Sequence, residues 1–71
     1  MNKELSRQVS DAMLDVSAKL NASIGLVQEH TDDKAFNAYR LKIGTIMADI
    51  YSEILRPIYQ EHPDLKPPEL D

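Results

Sequence analysis

Apolar side chains recur at intervals of three and four residues along the first thirty positions of the chain. The members of this first stripe are Leu5, Val9, Met13, Val16, Leu20, Ile24 and Val27. This spacing places them on one face of an α-helix, and Asn2 is a residue type that commonly caps helix N-termini. The pattern predicts a first helix over about residues 3–29.

A polar segment, QEHTDD, interrupts this pattern and is followed by a second stripe. Thr31 or Asp32 fits the N-cap of a second helix, and an aspartate just beyond it suits the positive end of the helix dipole. The second stripe consists of Ala35, Tyr39, Ile43, Met47, Ile50, Ile54 and Ile58. We predict a turn at residues 30–32 and a second helix over about residues 33–56.

The two stripes mirror each other about the polar segment. When the chain is folded there, Val27 falls opposite Ala35, and Leu5 falls opposite Ile58 at the far end. An antiparallel pair of helices requires such a mirrored arrangement. We therefore predict an all-α fold in which residues 1–61 form an antiparallel two-helix hairpin.

Pro57 stands where the second helix is still expected to run. Proline removes a backbone hydrogen bond and clashes with the preceding turn, so we expect a kink or a stop near Leu55–Arg56. Residues 62–71 contain three further prolines and are predicted to form an extended polar tail. The stretch HPDLKPPEL in this tail is stiff enough for recognition by a partner groove, although a frayed terminus is the simpler interpretation.

The second helix is apolar over more of its circumference than one neighbouring helix can cover. A second apolar row lies beside the stripe and consists of Leu41, Gly44, Ala48, Tyr51, Leu55 and Tyr59. Gly44 is informative because a glycine within a helix costs about 1 kcal/mol relative to alanine, while it lets another backbone approach closely. We predict that this row is an interface with a second copy of the chain, which gives a homodimeric four-helix bundle.

Two other arrangements account for the same row. In the first, Gly44 faces Leu20 inside the hairpin and serves only packing there. In the second, the tail folds back over Tyr51 and Leu55 and keeps the chain monomeric; the covering residues are Leu65, Pro67 and Leu70. The surroundings of Gly44 and the path of the tail distinguish these arrangements.

The composition restricts what such a hairpin does. A chain of 71 residues forms one domain at most, and a core of this size seldom supplies more than about 3–5 kcal/mol of stability. Cysteine is absent, which excludes disulfides and favours oligomerisation as compensation. The net charge of −4 disfavours nucleic-acid binding. Because no segment approaches the roughly 18 apolar residues of a membrane span and no signal peptide is evident, we expect a soluble cytoplasmic protein.

The carboxylates four residues apart are the first candidates for chemistry. Asp11 and Asp15 form one such pair, and Asp49 and Glu53 form another. Converging carboxylates bind divalent metals, but these lie on polar helix faces at the spacing of ordinary surface ion pairs. The ion pairs expected there are Arg7–Asp11, Asp15–Lys19 and Glu53–Arg56.

Other candidate groups also have simpler interpretations. Four potential metal ligands meet at the turn without a familiar ligand spacing: Glu29, His30, Asp32 and Asp33. His62 has no nucleophile fixed beside it, so no catalytic triad is predicted. The aromatic residues are more typical of helix packing than of a ligand pocket: Phe36, Tyr39, Tyr51 and Tyr59. We therefore predict no enzyme activity, no bound metal and no cofactor.

These features favour a function based on protein contact. The first hypothesis is a homodimeric adaptor or regulator that uses the second apolar row. The alternatives are an inhibitor or immunity-type module that captures a basic partner protein, and a small-ligand-binding helical bundle formed between subunits. The hairpin architecture is shared by unrelated proteins and does not decide between them.

Overall fold

The computed structural model describes residues 1–70 and is built on an antiparallel pair of long helices. Helix α1 spans Lys3–His30 and helix α2 spans Asp33–Ile50. Asn2 and Asp32 cap them, each accepting a 2.8 Å hydrogen bond from the backbone N–H three residues later. No strand is present among the described residues, and the predicted all-α hairpin is confirmed. It measures 45 × 19 × 16 Å.

Helical structure does not stop at Pro57. Beyond α2 the chain makes one π-helical turn, Tyr51–Leu55, and continues as α3 over Arg56–Glu61. In the π turn the Arg56 N–H donates to the carbonyl of Tyr51, five residues earlier. Because the proline ring has no N–H and needs space beside the preceding turn, one extra residue in that turn accommodates it.

The π turn changes which side chains face α1. One extra residue rotates the following helix by roughly 100° relative to an uninterrupted α-helix. Leu55 is consequently buried, with 3% of its surface exposed, whereas Ile54, which the stripe predicts to be internal, is 38% exposed. Ile58 and Tyr59 are buried beside Leu55. The side of α2 and of the π turn that faces α1, here called the α2 seam, consists of Phe36, Tyr39, Ile43, Met47, Ile50 and Leu55.

The contact line on α1 also differs from the predicted stripe. The buried and half-buried residues that alternate at four- and three-residue intervals, here called the α1 seam, are Ser6, Ser10, Met13, Ser17, Leu20, Ile24 and Val27. This repeat of 3.5 residues is shorter than the 3.6 of a straight helix, so the contact line winds slowly around α1. The predictions that Leu5 and Val16 are internal are wrong, because both side chains are more than 40% exposed.

The core lies at the open end of the hairpin, away from the turn. Leu55, Ile58 and Tyr59 form its buried centre. The partly buried residues packed against them are Val9, Met13, Leu14, Ile50 and Leu65. Two tyrosine hydroxyls also join the helices, Tyr59 to the Ser10 hydroxyl at 2.7 Å and Tyr39 to the Ser23 hydroxyl at 2.8 Å.

The tail is folded against this core instead of being extended. It forms two short 3₁₀ turns, Pro63–Leu65 and Pro68–Leu70. Leu65 packs on the core cluster, as the fold-back arrangement predicts, but Tyr51 remains 39% exposed. The predicted contact of the Leu70 side chain, like Asp71, lies outside the described part of the chain.

Polar contacts hold the first turn of the tail to the start of α1. Lys3 forms an ion pair with Asp64, and His62 Nε2 lies 3.3 Å from the carbonyl oxygen of Met1. The hydrogen bond from Lys3 lowers the pKa of the Asp64 carboxyl. A carboxyl whose pKa is lower in the folded state stabilises the fold above its ordinary pKa and loses that contribution as the pH falls through the lowered value. The contribution of Asp64 to the tail contact is therefore expected to be lost in acid.

Candidate protein interaction surface

The second apolar row divides into an exposed part and a buried part. Leu55 and Tyr59, which the sequence places on the outer surface, are 3% and 6% exposed within the single chain. The prediction that they lie on the outer surface is wrong, because the π turn rotates both residues into the core. The exposed remainder, here called the outer row, consists of Leu41, Gly44, Ala48 and Tyr51.

The outer row lies beside the α2 seam, one residue further along the sequence. Gly44, Ala48 and Tyr51 each directly follow a seam residue, so they lie on the same side of the hairpin. Leu41 lies further round the helix and is 63% exposed. The row therefore presents small residues in its middle and larger apolar side chains at both ends.

Gly44 has no packing role inside the hairpin. A methyl group placed on its Cα meets no described atom within 4 Å apart from its chain neighbours and the local helix backbone, and the residue is exposed. The arrangement in which Gly44 faces Leu20 in the seam is therefore wrong. Gly25 in α1 is equally open. Within this chain, neither glycine offsets its unfavourable helix propensity through a close contact.

A second exposed apolar surface was not recognised from the sequence. It consists of Leu5, Val16, Ile46 and Ile54, and is here called the aliphatic flank. Each member directly precedes a seam residue, namely Ser6, Ser17, Met47 and Leu55. Apolar periodicity gives no signal for it, because Leu5 and Val16 fall on the predicted stripe while the contact line passes through the serines that follow them.

The charged side chains pair in only one of the three expected places. Arg7 donates to Asp11 at 3.0 Å, which confirms that pair, and also to Glu4. The hydrogen bond from Arg7 is the main reason that the pKa of Glu4 is lowered. Among the described residues, the expected pairs Asp15–Lys19 and Glu53–Arg56 are not formed.

The remaining candidate groups do not assemble into a chemical site in the described residues. No group of three or more His, Asp or Glu side chains there is arranged to hold a metal ion. Tyr39 and Tyr59 direct their hydroxyls at serines of α1. A cavity of about 180 Å³ at the open end is lined by Met1, Ser6, Pro57, Ile58 and Glu61. It is smaller than the roughly 300 Å³ at which small-molecule sites usually begin.

Comparisons with known proteins add no assignment. No protein-family model matches the chain, and neither the curated proteins nor the solved structures contain a match. Within residues 1–70, none of the helices combines the length and the apolar character that crossing a membrane requires.

Proposed function

We propose that this protein acts through protein contact, as an adaptor or regulator without enzyme activity. Its outer row contacts the outer row of a second copy, and two hairpins form a four-helix bundle with two-fold symmetry. The observation that carries the proposal is the open space in front of Gly44 between exposed apolar residues. A small residue there permits the close approach of a second helix.

The surface area of the single chain supports a second copy as the occupant. The chain exposes 5141 Å², whereas a compact monomer of 8.1 kDa is expected to expose about 4,500 Å². The excess of roughly 600 Å² approaches the approximately 800 Å² that each partner buries in a standard interface. Among the residues whose burial is described, only four apolar side chains are buried, so association also adds to a small core.

The decisive variant is Gly44→Leu. Because a Cβ at this position meets no described atom within 4 Å beyond its chain neighbours and the local helix backbone, leucine is expected to stabilise the isolated hairpin by roughly 0.5–1 kcal/mol through helix propensity. In the dimer the same side chain separates the two helices, so we expect the dissociation constant to rise at least about tenfold. Thermal melts at low concentration and light scattering over a dilution series measure the two effects separately.

Gly25→Leu is the matched control. It places the same side chain at the other open helical glycine, on α1 and nearer the turn, where it directly follows the seam residue Ile24. We expect a similar gain in helix stability and a smaller rise in the dissociation constant than for Gly44→Leu. A wild-type chain that stays monomeric at high concentration, or a Gly44→Leu variant that associates as tightly as wild type, contradicts the proposal.

A further inference from the structure

The aliphatic flank lies on the opposite side of the hairpin from the outer row. Its residues precede seam residues, whereas Gly44, Ala48 and Tyr51 follow them. One position corresponds to about 100° of rotation. Because α1 and α2 are antiparallel, the same sense of rotation on both helices leads to the same side of the hairpin. The four aliphatic side chains therefore border one side of the interhelical seam.

The flank is a strip in the half of the hairpin nearer the open end, and Asp49, which directly precedes the seam residue Ile50, lies on the same side. Its members are between 38% and 47% exposed. Ile50 and Val9, which are half-buried in the same region, continue it towards the seam. From Leu5 to Val16 the strip extends along about 16 Å of helix axis, the length of roughly 11 helical residues.

Carboxylates without partners border this strip on both helices. Asp15 precedes Val16 on α1, and Asp49 and Glu53 lie beside the isoleucines of α2. All three residues are exposed, and none has a hydrogen bond or ion pair through its carboxylate to another described residue. Their negative charges therefore remain available to an incoming partner.

We propose that the aliphatic flank binds a basic amphipathic helix of a partner protein. The apolar stripe of that helix covers the strip, and its Lys or Arg side chains pair with Asp15, Asp49 and Glu53. This is the helix-in-groove mode of recognition. Lys19 and Lys42 lie just beyond the strip towards the turn, so the partner helix is neutral or acidic at that end.

Charge distinguishes this partner from a second copy of the chain. Two flanks placed face to face bring the carboxylates of one copy towards those of the other, and like charges repel across an interface. A basic helix neutralises them instead. The inference does not depend on self-association, because the outer row lies on the other side of the hairpin.

The probe for the experiment is a synthetic helix of about 14 residues, composed of leucine and lysine in an amphipathic order. Its control has the same composition in an order that breaks the apolar stripe. Fluorescence anisotropy with the labelled peptides and the full chain measures the dissociation constants. We expect the amphipathic peptide to bind at least about tenfold more tightly than its control. Its binding is expected to weaken as salt screens the charges.

Two sets of variants localise the binding. Val16→Gln combined with Ile46→Gln is expected to weaken binding at least about tenfold, whereas Leu41→Gln on the outer row leaves it unchanged. Asp49→Asn combined with Glu53→Gln is expected to reduce the salt dependence. Circular dichroism verifies that each variant is folded, and light scattering verifies that the mass of the flank variants is that of wild type.

Three results overturn the inference. These are the absence of binding by wild type, equal binding of the two peptides, and a Val16/Ile46 double variant that is folded and binds as tightly as wild type. Loss of self-association in Gly44→Leu with unchanged peptide binding agrees with the inference, because the two surfaces are separate.

Discussion

Replacing Leu55 with alanine is expected to lower the free energy of unfolding by about 2–5 kcal/mol. The side chain is 3% exposed and lies at the centre of the core with Ile58 and Tyr59. A core in a chain of this size supplies only about 3–5 kcal/mol in total. Much of the Leu55→Ala population is therefore expected to be unfolded at 25 °C, and urea titration followed by circular dichroism measures the loss.

The neighbouring residue supplies the control for this prediction. Ile54→Ala removes a side chain of similar size that is 38% exposed, so we expect a loss of about 1 kcal/mol or less. An uninterrupted α-helix through Pro57 predicts the reverse order, with Ile54 internal and Leu55 outside. Equal losses, or a larger loss for Ile54→Ala, contradict the π turn and the assignment of Leu55 to the core.

The hairpin itself was predictable from the sequence because its signals are local. Two long apolar stripes, the cap residues Asn2 and Asp32, and the absence of proline before Pro57 each depend only on nearby positions. Their agreement defines two antiparallel helices. The bounds of α1 and the start of α2 follow from the same signals, whereas the end of α2 at Ile50 does not.

The seam of α1 was less predictable because part of it is polar. Periodicity that counts only apolar residues selects Leu5 and Val16, whereas Ser6 and Ser17 occupy the contact line. A buried serine has no signature in the sequence when its neighbours are apolar. Its identity as a seam residue depends on the opposite helix, as at Ser10, whose hydroxyl bonds to that of Tyr59.

The prediction for the C-terminal end of the second helix was wrong for a different reason. Pro57 indicates a disturbance, but not whether the chain stops, bends or adds a residue to the turn. The π turn adds one residue, and this exchanges the positions of Ile54 and Leu55 relative to α1. The predicted interface consequently lost Leu55 and Tyr59, while Gly44 and Ala48, which precede the π turn, remained on the outer surface.

Ser6→Ala and Ser10→Ala are expected to have opposite effects on stability. Both serines are buried in α1, one turn apart. The Ser10 hydroxyl bonds to that of Tyr59, so its removal leaves a buried hydroxyl without a partner and costs about 1–3 kcal/mol. The Ser6 hydroxyl has no partner among the described residues. Replacing Ser6 with alanine removes the cost of burying an unpaired hydroxyl and improves helix propensity. The free energy of unfolding is therefore expected to rise by about 1 kcal/mol or more.

Urea titrations of the two variants measure whether each substitution raises or lowers the free energy of unfolding. Tyr59→Phe separates the effect of hydrogen bonding from that of packing. Replacing both partners of a buried hydrogen bond with apolar groups is close to neutral. The double variant Ser10→Ala/Tyr59→Phe is therefore expected to recover most of the stability that either single variant loses. Additive losses in the double variant argue that the two hydroxyls do not bond to each other. A destabilised Ser6→Ala variant indicates that the Ser6 hydroxyl has a bonding partner in solution.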